Sequence, residues 1–146
     1  MKQKFIFIAL ACLFVTGVCQ ARDDLNRYSV EEALNTSDAQ SKLNKGYTFL
    51  FGKQEHKEVV SNHGEFMSNK KTNAFNKSDK QACQWAFLSA MLTFQDRVAK
   101  EGGNAVINIR SYYKKHDFTS ETEFECGNGS LMAGVTLVGD VVTLKE

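Results

Sequence analysis

The side chains in this sequence best suited to chemistry are four cysteines and three histidines. Cys12 and Cys19 fall in an apolar N-terminal stretch, which leaves Cys83 and Cys126 for the folded chain. In an oxidising compartment these two form one disulfide, and closing a loop of about 44 residues would destabilise the unfolded chain by roughly 4 kcal/mol. The alternative chemistry is nucleophilic: Cys83 falls in the first turn of a predicted helix, where the helix dipole lowers a thiol pKa. That role needs a neighbouring histidine, and the local sequence supplies none. His56, His63 and His116 are the remaining ligand candidates, joined by the cysteines if these were reduced. His56 and His63 belong to a predicted hairpin and His116 to a separate turn, so no zinc-type spacing is present and no metal site is assigned.

The glycine motifs fail on their chemistry. Gly52-Lys53 is followed by Gln54 where a phosphate loop needs a hydroxyl, and Tyr47 stands where its first glycine belongs. Gly127-Asn128-Gly129 has Met132 where a dinucleotide fingerprint needs glycine, and no helix follows it. There is no Gly-x-Ser-x-Gly elbow. Glu121, Glu123 and Glu125 alternate with Thr122, Phe124 and Cys126, and are read as the solvated face of a strand near Arg110, Lys114 and Lys115. No catalytic residue and no cofactor is assigned.

The elements that must position these groups follow from periodicity. Residues 22–45 read as a helical N-terminal segment, with Ser29 and Glu32 forming a capping box and Asp38 capping Ala39 to Leu43 before Gly46. Residues 46–77 read as a strand pair, from Tyr47 to Phe51 and from Glu58 to Lys70 with a break at Gly64. Ser78 and Gln81 make a second capping box. Cys83, Phe87, Ala90, Met91, Phe94 and Val98 then recur at helical spacing up to Glu101, with Gly102-Gly103 as the stop. Ala105, Ile107 and Ile109 alternate with polar neighbours, and residues 78–146 become a helix followed by a β-meander. The fold class is α+β: one long helix packed on an antiparallel sheet, pinned to it by Cys83–Cys126.

Composition agrees with one domain. The chain has 146 residues, 42% hydrophobic and 24% charged, and no proline. Eighteen basic residues against 17 acidic ones exclude a nucleic-acid binder that works by bulk charge. Residues 1–21 read as a cleaved signal peptide: Lys2 and Lys4, an apolar run from Phe5 to Val18, then Cys19-Gln20-Ala21. The run is too short to span a bilayer. Its removal takes two lysines and no acid, so a formal charge of +1 becomes −1, and residues 22–146 form the exported domain. Val18 ahead of Cys19 is a poor match to a lipobox, which speaks against a lipid anchor. The expected location is periplasmic or secreted.

The run Glu101-Gly102-Gly103-Asn104-Ala105-Val106-Ile107-Asn108-Ile109-Arg110, with Val135-Thr136-Leu137-Val138-Gly139-Asp140-Val141, resembles YbjQ-like small α+β domains and the domain of the Rcs envelope-stress outer-membrane lipoprotein. In that lipoprotein family a cysteine ahead of the helix is bridged to the hairpin region, and Cys83 and Cys126 are similarly placed. The match covers about residues 80–142. Over nearly its whole mature length the chain is similar to uncharacterised exported bacterial proteins with a Cys-Gln-Trp-Ala-Phe helix start, here Cys83 to Phe87, and an Asn-Ile-Arg-Ser-Tyr-Tyr strand, here Asn108 to Tyr113. A label of excinuclease ATPase subunit, which such sequences often carry, fails on the missing phosphate loop and zinc-finger cysteines. Departures from the Rcs lipoprotein are the weak lipobox, one disulfide in place of two, and the added region from Arg22 to Lys77.

These readings give a non-catalytic exported domain that binds an envelope protein or assembles with itself. Trp85, Tyr112 and Tyr113 are its candidate interface residues. The YbjQ-like resemblance implies a homo-oligomer. The alternative is a periplasmic small-ligand or metal-binding protein that uses the histidines.

Overall fold

The computed structural model describes residues 21–43 and 46–146, so the predicted signal peptide up to Gln20, with Cys12 and Cys19, lies outside the described residues. The chain is α+β. In order it forms β1 (Asp24–Ser29), α1 (Val30–Leu34), α2 (Ser37–Lys42), β2 (Thr48–Phe51), β3 (Val59–Asn73), α3 (Asp79–Glu101), β4 (Ala105–Ser111), a 3-10 turn (Tyr113–Lys115), β5 (Glu123–Asn128) and β6 (Met132–Leu144). No helix among the described residues is long and apolar enough to cross a membrane.

Local chemistry explains the helix boundaries. The Ser29 side chain accepts from Glu32 N–H, and the Ser78 side chain accepts from Gln81 N–H, each satisfying a donor that the first helical turn leaves orphaned. Gly102 ends α3 at φ 75, a left-handed conformation that suits a residue without Cβ, and its N–H bonds to Val98. For α2 the cap is Thr36, not Asp38, and the helix ends at Lys42 well before Gly46. Thr36 takes the role because its hydroxyl reaches Ala39 N–H at 3.3 Å.

The six strands form one curled sheet built around β6. β3 runs antiparallel along one side of β6 over nearly its whole length. On the other side β5 pairs with the start of β6 and β4 with its later part. β1 then adds antiparallel to β5, and β2 adds parallel to β4. Several expectations are corrected here. Residues 24–29 are strand instead of helix, because Asp24 to Ser29 find a pairing edge on β5. β2 and β3 do not pair with each other, so residues 46–77 hold two strands on opposite sides of the sheet. The β2–β4 pairing is parallel, so the sheet is mixed. β4 and β5 lie end to end along the same side of β6 instead of pairing with each other in a ladder, and the meander order is broken.

α3 covers one face of the sheet. Ala82, Ala86 and Ala90 are fully buried, and such small side chains let the helix sit close to the strands. Phe87 stacks on Phe124 with ring centroids 4.3 Å apart, and Phe51 stacks on Phe87 at 6.0 Å. A second, smaller cluster of Ala105, Ile107, Val142 and Leu144, backed by Leu50 and Val59, occupies the reverse face. Strict alternation in β4 would have put Ile107 and Ile109 on one side. Asn108 instead adopts φ 54 and donates to Asp140 at 2.7 Å, and the register shifts between Ile107 and Arg110. That bulge sends Ile109 into the core under α3 and Ile107 to the reverse face.

Candidate functional site

The cysteines settle first. Cys83 and Cys126 are both fully buried and disulfide-bonded, with Cα atoms 5.9 Å apart, and they tie α3 to β5. The Asn128 amide donates to Cys83 Sγ at 3.0 Å, and the Phe87–Phe124 stack lies one helical turn further along. A nucleophilic Cys83 is overturned in this state, because its sulfur is bonded and out of reach of solvent. The histidines are not brought together. His56 Nδ1 contacts Lys57 O, His63 Nε2 contacts Thr143 Oγ1, and His116 Nδ1 contacts Glu125 Oε2. Among the described residues no group of three or more His, Cys, Asp or Glu could hold a metal ion.

The chemistry that sequence reasoning missed is on the reverse face of β5. Glu125 is 1% exposed, so its reading as a solvated strand residue is corrected. Its carboxylate meets His116 Nδ1 at 2.9 Å and Arg27 at 3.4 Å, and its backbone N–H donates to Ser111 Oγ at 2.9 Å. Arg27 in turn lies 4.0 Å from the centroid of Phe118. Strand alternation correctly turns Glu125 away from α3. What it cannot show is that residues 112–118 fold back over that face. Lys114 and Lys115 take positive φ values of 49 and 66, reversing the chain after Tyr113. The Tyr113 ring then rests on Gly127, where a Cβ would fall 2.1 Å from the ring, and beside Gly134.

The expected cationic neighbours of the glutamates have other partners. Arg110 bonds Glu65 and Asp117. Its partial burial opposes the charge, but the bonds from Asp117 and Glu65 outweigh this and raise its pKa. Lys114 bonds Asp23, and that bond raises the lysine pKa above its usual value. Burial also raises the pKa of Tyr28, whose hydroxyl donates to Asn128 at 3.3 Å.

The three candidate interface aromatics are engaged inside the fold. Trp85 is half-buried beside α2, with the Lys42 ammonium 4.8 Å from its ring centroid. Tyr112 is half-buried and its N–H bonds Thr136 O. Tyr113 packs on the glycines. The exposed large apolar groups are elsewhere: Leu25, Val60 and Met67 are scattered, whereas Phe75 at 62%, Leu131 at 64% and Met132 at 47% are neighbours. The end of β3 brings them together, since Ala74 N–H bonds Leu131 O and Asn73 pairs with Met132. No sequence periodicity marked them, because Phe75 and Leu131 sit in the turns that follow β3 and precede β6, and Met132 is the first residue of β6.

A groove of about 450 Å³ lies between α1 and β2, with Val30, Leu34, Phe49 and Phe51 among its lining residues and Glu31 and Glu121 beside them. No family model matches the chain, and no curated protein and no solved structure is significantly similar to it.

Proposed function

We propose that this chain is an exported, non-catalytic, disulfide-stapled domain that works by binding protein at the cell envelope. The observation that carries the reading is the apolar end of the sheet formed by Phe75, Leu131 and Met132. Monomeric surfaces expose single apolar residues routinely, whereas neighbouring large ones mark contact sites. The buried Cys83–Cys126 bond is compatible with an oxidising compartment, as export through a signal peptide over residues 1–21 requires. The likeness of residues 80–142 to YbjQ-like and Rcs lipoprotein domains belongs to the same proposal.

The binding end is testable in place. A photocrosslinking amino acid at position 75 or 131 of the full chain, expressed for export in a bacterium, is expected to give a discrete adduct of defined mass. The same probe at exposed Lys53 is expected to give none. Equal, diffuse labelling from all three positions would refute the proposal.

A further inference from the structure

The longest strand of the sheet is also an edge. β3 has 15 residues, about 50 Å of extended chain, and among the described residues it pairs with β6 alone. Natural edges of this length are normally interrupted, charged or covered. The first half of β3 is interrupted: the register shifts between Val59 and Ser61 and again between Asn62 and Gly64, where φ is 110. From Glu65 to Asn73 there is no shift. In this stretch Glu65, Met67, Asn69 and Lys71 are exposed, and Phe66, Ser68 and Lys70 between them are half-buried or buried.

We infer that the occupant of this edge is a second copy of the chain, paired antiparallel through β3 about a two-fold axis at Ser68. The inference rests on the protein-binding reading above and names one partner for it. An axis perpendicular to the sheet continues each face into itself, so residues set opposite one another must share a face. The axis must therefore pass through a residue position. At Met67 it would set Glu65 against Asn69 and Lys71 against His63. At Asn69 it would set Met67 against Lys71, and at Lys70 two lysines would meet. Among the positions from Phe66 to Lys70, only Ser68 sets Glu65 against the second copy's Lys71, twice by symmetry, with Met67 against Asn69 between them.

The chemistry of these pairs fits. Arg110 uses only Oε2 of Glu65, which leaves Oε1 to accept from the opposing lysine. Lys71 has no acidic partner among the described residues. On the axis itself the like pair is two small, uncharged serine side chains. The result is one continuous sheet through both copies, held by main-chain bonds, with its register chosen by charge.

Native mass spectrometry of the exported full chain over a wide concentration range tests the pairing. A concentration-dependent dimer is expected. Lys71→Glu should weaken it about tenfold by turning both cross-strand pairs repulsive, and Glu65→Lys with Lys71→Glu should restore it. Met67→Cys with Asn69→Cys, oxidised, should give a covalent dimer, which keeps the test independent of the charge variants. A monomer at every concentration, or a dimer indifferent to Lys71→Glu and not trapped by the cysteines, would overturn the inference. A monomer that still gives the position-75 adduct would leave the binding reading standing. A charge-switchable dimer without that adduct would remove the apolar end and keep the edge.

Discussion

At the residue scale the most consequential side chain is Glu125. Its side chain is 2% exposed, whereas those of its partners Arg27 and His116 are 52% and 57% exposed, so the two partners lose little hydration while the carboxylate loses nearly all of it. The asymmetry predicts which substitutions hurt. Arg27→Ala with His116→Ala strands a buried carboxylate and is expected to cost about 3 kcal/mol in urea unfolding. Glu125→Gln keeps the shape and some hydrogen bonding and should cost about 1 kcal/mol. Equal losses would mean that the ring and guanidinium act by covering Phe118 and β5, not by satisfying the charge. Gly127 shows the same dependence on a distant segment: it is glycine because the Tyr113 ring lies where a side chain would be. Neither residue announces its role in the sequence, since the groups that define it arrive from residues 112–118.

At the element scale the helix–sheet layer depends on one covalent tie. The Cys83–Cys126 bond joins α3 to β5, which pairs with β6 at only two positions, Gly127 with Gly134 and Asn128 with Ala133. β1 is attached to the rest of the sheet through β5. Cys83→Ala with Cys126→Ala is therefore expected to lower stability by about 4 kcal/mol, read from equilibrium denaturation. β1 and β5 should show the largest gain in amide exchange. Uniform exchange across the sheet would show that β5 is held by packing of Phe124 under Phe87 and not by the bond. The helix itself was legible in the sequence, because caps and a 3.6-residue apolar stripe act locally. The pairing of β1 was not, since Asp24 to Ser29 become a strand only by meeting β5 about 100 residues further along the chain.

At the scale of the whole molecule, ion pairs close the N-terminal strand onto distant segments: Arg22 with Asp79, and Asp23 with Lys114. Lys114, held by Asp23, and Tyr28, shielded by burial, both have raised pKa values, so the folded protein grips these two protons more tightly than the unfolded chain does. The stability they contribute is complete below about pH 10 and is lost as pH rises through the raised values. Thermal melts from neutral to strongly alkaline pH should be flat with respect to these groups and then fall. Lys114→Met with Tyr28→Phe should flatten the alkaline limb, and an unchanged limb would assign it to other groups.

The sequence by itself determined what local forces determine: α3 from its Ser78 cap to its Gly102 stop, the apolar stripe that packs on the sheet and the inward face of β5; it also pointed to the pairing of Cys83 with Cys126. The tertiary structure alone decided that β4 and β5 share one side of β6 with β3 on the other, that β2 runs parallel, that Asn108 bulges and puts Ile107 and Ile109 on different faces, and that Glu125 is buried. It also decided that Phe75, Leu131 and Met132 meet as exposed neighbours while Trp85, Tyr112 and Tyr113 are half-buried. The physical reason is range. Caps and helical stripes are satisfied within a few residues of chain. A strand's neighbours, and the cover over each face of a sheet, come from segments far away in sequence, chosen by what the assembled sheet leaves unpaired.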